Sequence, residues 1–294
     1  MTEDWLDSLL QRGFRRPLVS RGTWGRPPTN GERRRVFQWA RRAGFSGMEL
    51  SPRWCDFHDM TRQQLRELRA EATDEGIRLS GLNLSRCILT RTTHAAEHLD
   101  RLQRSVAVAE ILGTDVINVS LSMPTSPGSG RAPLSGQDIP DSEHQRSAEL
   151  VANVAHHAQK AGISLSVELH DDGLLDSPEL CLQFLKGVGA PNVGVNPDLA
   201  NLCRGSTPWS DWKAALVLLA PKTICWHIKN YRDSRPVPVW DGDIDYHWAL
   251  TIMHGVGYKG WVSIESYWGD LESQEQELQY LKRLDAISAS VAER

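Results

Sequence analysis

The sequence predicts an α/β fold, a single (β/α)8 TIM barrel spanning residues 1–294, on three observations. Eight short apolar runs alternate with longer amphipathic stretches from end to end, the pattern of a strand followed by a helix eight times over. A length of 294 residues suits one undivided barrel. The structural competitor is a doubly wound sheet, but the tight Gly-rich phosphate turn of a dinucleotide fold is absent after the first strand, where "SRGTWGRPP" stands instead.

The candidate strands run in order. They are "PLVSRG" near 17, "GMELS" near 47, "IRLSGLNLS" near 77, "DVINVSLS" near 115, "ISLSVELH" near 163, "NVGVNPD" near 192, "TICWHIKN" near 223 and "GWVSIES" near 260. Between them, stretches such as "HLDRLQRSVAVAEIL" and "SAELVANVAHHAQKA" place apolar residues at helical spacing. "TRQQ" at 61 reads as a capping box, and "SPEL" at 177 puts Ser at an N-cap with Pro behind it. Two longer loops, at about 123–142 and 232–245, leave from strand ends on the face where such barrels carry their chemistry. The second holds a Trp and several acids, which suits a covering role.

Composition narrows the function. Hydrophobic residues make up 40% and charged residues 24%, the make-up of a globular protein. A net charge of -4 with both signs scattered offers no basic footprint for nucleic acid. No stretch approaches a membrane span, and "MTEDWLDSLLQRGF" lacks the features of a secretory signal, so a cytoplasmic location is expected. Five Cys, without a CxxC pair, suggest neither a disulfide framework nor a zinc ribbon.

Four residues carry the chemistry. Glu168, Asp198, His227 and Glu265 fall near the ends of the fifth to eighth strands, each about one β/α unit from the next. In a closed barrel such positions share one rim. Three carboxylates together require a cation between them, and one imidazole completes an oxygen-rich set. That set favours Mn²⁺ first, with Mg²⁺, Co²⁺ or Zn²⁺ as alternatives, as one divalent metal ion per chain.

The segments "VELHDDGLLDSPE", "NVGVNPDLANL", "HIKN" and "GYKGWVSIES" resemble the xylose-isomerase-like TIM-barrel superfamily, the sugar phosphate isomerases and epimerases. The resemblance implies one divalent metal bound by Glu168, Asp198, His227 and Glu265, with Glu168 and Glu265 also serving as acid and base. It implies a sugar isomerase or epimerase that abstracts a proton next to a carbonyl through a metal-stabilised enediolate. The chain departs from the epimerase pattern at Asn201, where those enzymes often carry His, and after Glu168, where "DDGLLD" lacks a second Glu. A lyase or dehydratase acting by β-elimination on a keto-sugar, keto-inositol or related polyol is therefore the alternative. The multi-zinc nuclease branch of the superfamily fits neither the charge nor the absence of His at the second and third strand ends.

Substrate contacts are expected from His170, Asn201, Lys229, Trp54 and Glu49. His170 lies on the face of Glu168, two positions on, and Lys229 follows His227 in the same way. Trp54 has either a sugar face to stack on or a helix to pack against. The expected partner is a small sugar or polyol, with neither nucleic acid nor membrane. A homo-oligomer is compatible with the sequence.

Overall fold

The computed structural model describes residues 12–14, 30–52, 54–123, 135–171, 173–204, 211–266, 268 and 271–292. Among the described residues, ten strands appear in chain order: β1 (Arg12–Phe14), β2 (Gly47–Leu50), β3 (Arg78–Cys87), β4 (Val116–Leu121), β5 (Ser164–Glu168), β6 (Val193–Asn196), β7 (Cys225–Ile228), β8 (Asn230–Arg232), β9 (Arg235–Val237) and β10 (Trp261–Ile264). Strands β2 to β6 pair in parallel in sequence order, and β1, β10 and β7 form a second parallel arc. A parallel bridge from Val195 to Thr223 joins the arcs on one side, and β1 lies beside β2 on the other. The result is the predicted α/β barrel.

The helices between them are α1 (Asn30–Ala43), α2 (Arg62–Asp74), α3 (Ala95–Leu112), α4 (Asp141–Lys160), α5 (Pro178–Val188), α6 (Leu199–Arg204), α7 (Trp212–Leu219), α8 (Tyr246–Gly255) and α9 (Leu271–Ala292). Both expected helix starts are present. Thr61 and Gln64 form a reciprocal capping box on α2, and Ser177 accepts from Leu180 N ahead of Pro178 on α5. These bonds satisfy backbone donors that a helix start otherwise leaves unpaired.

One expectation falls outside the described residues, and one changes. "PLVSRG" lies outside the described residues, as does most of the first loop, and the first strand described is β1. Its "RGF" holds one large apolar side chain, so a search for apolar runs passes over it. The loop at 232–245 is not irregular throughout. It opens with the antiparallel hairpin β8–β9, turned by Asp233 and Ser234 at φ 49° and 58°. Two successive left-handed residues are the mark of a type I′ turn, whose twist suits a hairpin.

Strand alternation separates two apolar layers. Side chains such as Leu165, Val167, Trp226 and Ile228 pack outward into the main core beneath the helices. A small second cluster of Val116, Cys225 and Trp261 plugs the other side of the sheet. Gly47 lets the Trp261 ring approach, since a Cβ there would sit 2.7 Å from it. Beyond this plug the same alternation brings up buried Asn118, Ser166, Asn196 and Ser263 in place of apolar residues. The interior thus turns polar toward the strand ends.

Candidate metal centre

The polar layer ends in Glu168, Asp198, His227 and Glu265. One potential ligand atom from each lies within 4.8 Å of the others, and all four side chains are buried. The expected constellation is therefore brought together. Glu168 ends β5 and pairs in register with Asn196 of β6. Asn196 Oδ1 accepts from His227 N at 2.9 Å, which ties the start of the site to β7. Glu265 follows β10 directly, its N–H donating to Ile228 O at 2.8 Å.

Each ligand candidate is held by named partners. Glu168 accepts from Asn118 Nδ2 at 2.9 Å on one oxygen and from Asn201 Nδ2 at 3.2 Å on the other. His227 Nδ1 faces Glu265 Oε2 at 3.1 Å and Glu168 Oε1 at 3.9 Å. Its Nε2 points the other way, 3.0 Å from Glu49 Oε2. That last pair is out of line for a hydrogen bond, and neither atom has a hydrogen-bond partner among the described residues. Lys229 Nζ pairs with Asp198 Oδ2 and, at 3.0 Å, with Glu265 Oε2, whereas Asp198 Oδ1 is buried without a hydrogen bond.

The residues expected to contact substrate divide. Glu49 and Lys229 are buried against the four-residue cluster itself. Asn201 is also fully buried, donating to Glu168 and to Leu169 O at 2.9 Å, so it orients a carboxylate. Trp54 is buried edge-on against Phe37 of α1 at 6.0 Å and packs there. His170 stands at the rim, where Arg204 Nη2 approaches its Nε2 at 2.9 Å.

Arg204, Asn118, Asn196 and Tyr246 were missed by the sequence reading. Arg204 donates twice to Asp171; burial lowers its pKa, but Asp171 and Tyr231 together raise it above the ordinary value. Tyr246 bonds the backbone of Lys229, and burial raises its phenol well above the usual range. Asn118 and Asn196 carried a usable signal: an amide at an inward position of an otherwise apolar strand has to serve a buried partner.

The cluster suits a divalent cation on its own chemistry. Four buried carboxylates (Glu49, Glu168, Asp198, Glu265) face one ammonium and one imidazole. Ionised, they leave an excess of three negative charges, which burial makes costly. The unsatisfied Asp198 Oδ1 is a further acceptor without a donor.

Comparison with known proteins agrees with this architecture. A family described as xylose isomerase-like TIM barrel matches residues 37–284. A Mycoplasma pneumoniae protein described as a probable L-ribulose-5-phosphate 3-epimerase is 28% identical over 103 residues, which are 34% of this chain and 33% of that protein. The match thus spans about a third of the curated relative's length. A xylose isomerase-like TIM barrel protein from Mycobacterium smegmatis, solved in complex with magnesium, superposes with a TM-score of 0.82 at 21% identity, covering 95% of this chain and 98% of that one. An L-ribulose 3-epimerase superposes at 0.72 and 20% identity, covering 97% and 96%. At these identities the superpositions speak to the fold, and the family match speaks to membership. The chain belongs to the xylose isomerase-like TIM barrel family.

Proposed function

We propose that this protein is a divalent-metal-dependent sugar isomerase or epimerase that removes a proton next to a carbonyl. The observation that carries the reading is the buried charge excess at Glu168, Asp198, His227 and Glu265. Asp198 Oδ1, His227 Nδ1 and one oxygen from each of the two glutamates would hold the ion, with Mn²⁺ or Mg²⁺ matching this oxygen-rich set. Bound there, the ion would act as a Lewis acid on a ketose carbonyl and its neighbouring hydroxyl.

The chain's own residues supply the proton transfers. Glu168 and Glu265 come from the outer strands of the β5–β6–β7–β10 series, and a substrate bound at the ion would lie between them. One takes the α-proton and the other returns a proton, to the opposite face for epimerisation or to the adjacent carbon for isomerisation. Lys229, bridging Asp198 and Glu265, places a positive charge beside the oxygen that becomes anionic. His170 and Arg204, in contact with each other, would bind a sugar hydroxyl.

The test is proton NMR in D₂O with metal-loaded protein and a panel of keto-sugars and inososes. Deuterium uptake at a carbon beside the carbonyl, with no loss of water from the sugar, is expected. An enone or deoxy product would move the assignment to a β-eliminating lyase. Metal below about a tenth of an equivalent after Mn²⁺ loading and dialysis would overturn the metal reading.

A further inference from the structure

Sharing no residue with the four-residue cluster, a cavity of about 340 Å³ opens beside the ends of β2 and β3 against the first turns of α3. Its polar lining comes from Asp56, His58, Ser85, Arg86, His98 and Arg101. The volume is at the small end of the range typical of small-molecule sites.

Hydrogen bonds fix what the two histidines offer. His98 Nδ1 accepts from Ile88 N at 2.8 Å, so its ring proton sits on Nε2 as a donor. Ser105 donates its hydroxyl proton to Arg101 O, so the 2.8 Å contact from His58 Nε2 to Ser105 Oγ has the imidazole as donor. His58 Nδ1 is then a bare acceptor, buried and without a hydrogen bond, 3.7 Å from Asp56 Oδ1. Burial, with Arg101 adding to it, holds His58 down to about 4, which keeps that lone pair free at neutral pH. The lining thus offers Arg86, Arg101 and the His98 imidazole N–H as donors, with Asp56 Oδ2 3.7 Å from Arg101 Nη2 as the neighbouring acceptor.

The backbone adds an independent sign. Arg86 sits at φ 64°, a left-handed conformation that a long side chain rarely adopts. Strain of this kind persists where the surroundings impose it, and it concentrates at functional sites.

We propose that this cavity binds a small oxyanion, its phosphate or carboxylate held by Arg86, Arg101 and His98. Arginine suits an oxyanion because its planar fork matches two oxygens at once. The occupants to test are a polyol phosphate and a hydroxycarboxylate.

Calorimetric titration of the full chain with glycerol 3-phosphate, glycerate and glycerol tests this. Saturable binding of at least one anion and none of glycerol is expected, and the tighter anion identifies the ligand class. Arg101→Gln should weaken that binding at least about tenfold. Arg86→Gly should weaken it similarly while raising the melting temperature, because glycine accepts φ 64° without strain. Glu265→Gln should leave it unchanged. No saturable binding, affinity untouched by both arginine variants, or affinity lost in Glu265→Gln would each overturn the proposal.

Discussion

Glu49 and His227 meet at 3.0 Å inside the barrel, an acid from the end of β2 set against the imidazole of β7. Nε2 is the atom that faces Glu49, which leaves Nδ1 toward Glu168 and Glu265. Aligned as a hydrogen bond, this pair would fix the tautomer with its lone pair on Nδ1. Carboxylates behind a metal-binding histidine commonly have this role, and losing one typically weakens metal binding about 10- to 100-fold. Glu49→Ala should fall in that range, and Glu49→Gln should keep more of the affinity. Competition with a chromogenic chelator measures it, and an unchanged Mn²⁺ affinity in both variants would remove Glu49 from this role.

The two glutamates of the cluster are asked both to ligate and to move protons. An amide keeps a ligating oxygen but accepts no proton as a base. Glu168→Gln and Glu265→Gln should therefore retain measurable metal and each lose at least about 10²-fold in turnover. Metal analysis and a steady-state assay on the same preparations check both halves. Near-wild-type turnover in both variants, with metal bound, would show that neither moves a proton.

Asn201 now has a different expectation from a simple sugar contact. Its amide joins Glu168 Oε1 to Leu169 O, so Asn201→Ala leaves a buried carboxylate and a carbonyl each short of a donor. A loss of about 1–3 kcal/mol in stability should follow. Because the effect passes through Glu168, kcat should fall more than KM rises, with metal retained. His227→Ala and Asp198→Ala, by contrast, should lose the metal. A pure KM effect in Asn201→Ala would return the residue to the sugar.

The four-residue cluster was legible because barrel strands repeat at one phase. Glu168, Asp198, His227 and Glu265 each end an apolar run, and polar residues recurring at strand ends stand out without knowledge of contacts. What a side chain touches across the barrel was not legible. The family resemblance implies substrate contacts at Asn201 and Lys229, and in the folded chain both donate to the carboxylates. Trp54 is ambiguous in sequence, since stacking on a sugar and packing on Phe37 use the same ring. The hairpin β8–β9 was hidden for a local reason. Its turn uses Asp233 and Ser234 where the recognisable pattern has glycine.

The last prediction concerns Glu277, buried in α9, which joins the loop after β7 to the site. Its Oε1 accepts from Val239 N and from Ser266 Oγ, both at 3.1 Å, and Ser266 adjoins Glu265. Burial pushes its carboxyl from 4.5 up to about 8, against the opposing pull of those two hydrogen bonds. The folded protein therefore keeps this proton to about pH 8, whereas the unfolded chain releases it near the ordinary value. The resulting stability is fully present below about pH 4.5 and is lost as pH rises through about 8, at up to about 1.4 kcal/mol per pH unit between them. Glu277→Gln keeps an oxygen for Val239 and Ser266 but has no proton to lose. The variant should match the wild type near pH 4.5 and exceed it by up to a few kcal/mol at pH 9. Urea denaturation of both proteins across this range reads the difference, in which the titrations of all other groups cancel. A difference that does not change with pH would mean that Glu277 is ionised in the folded protein throughout.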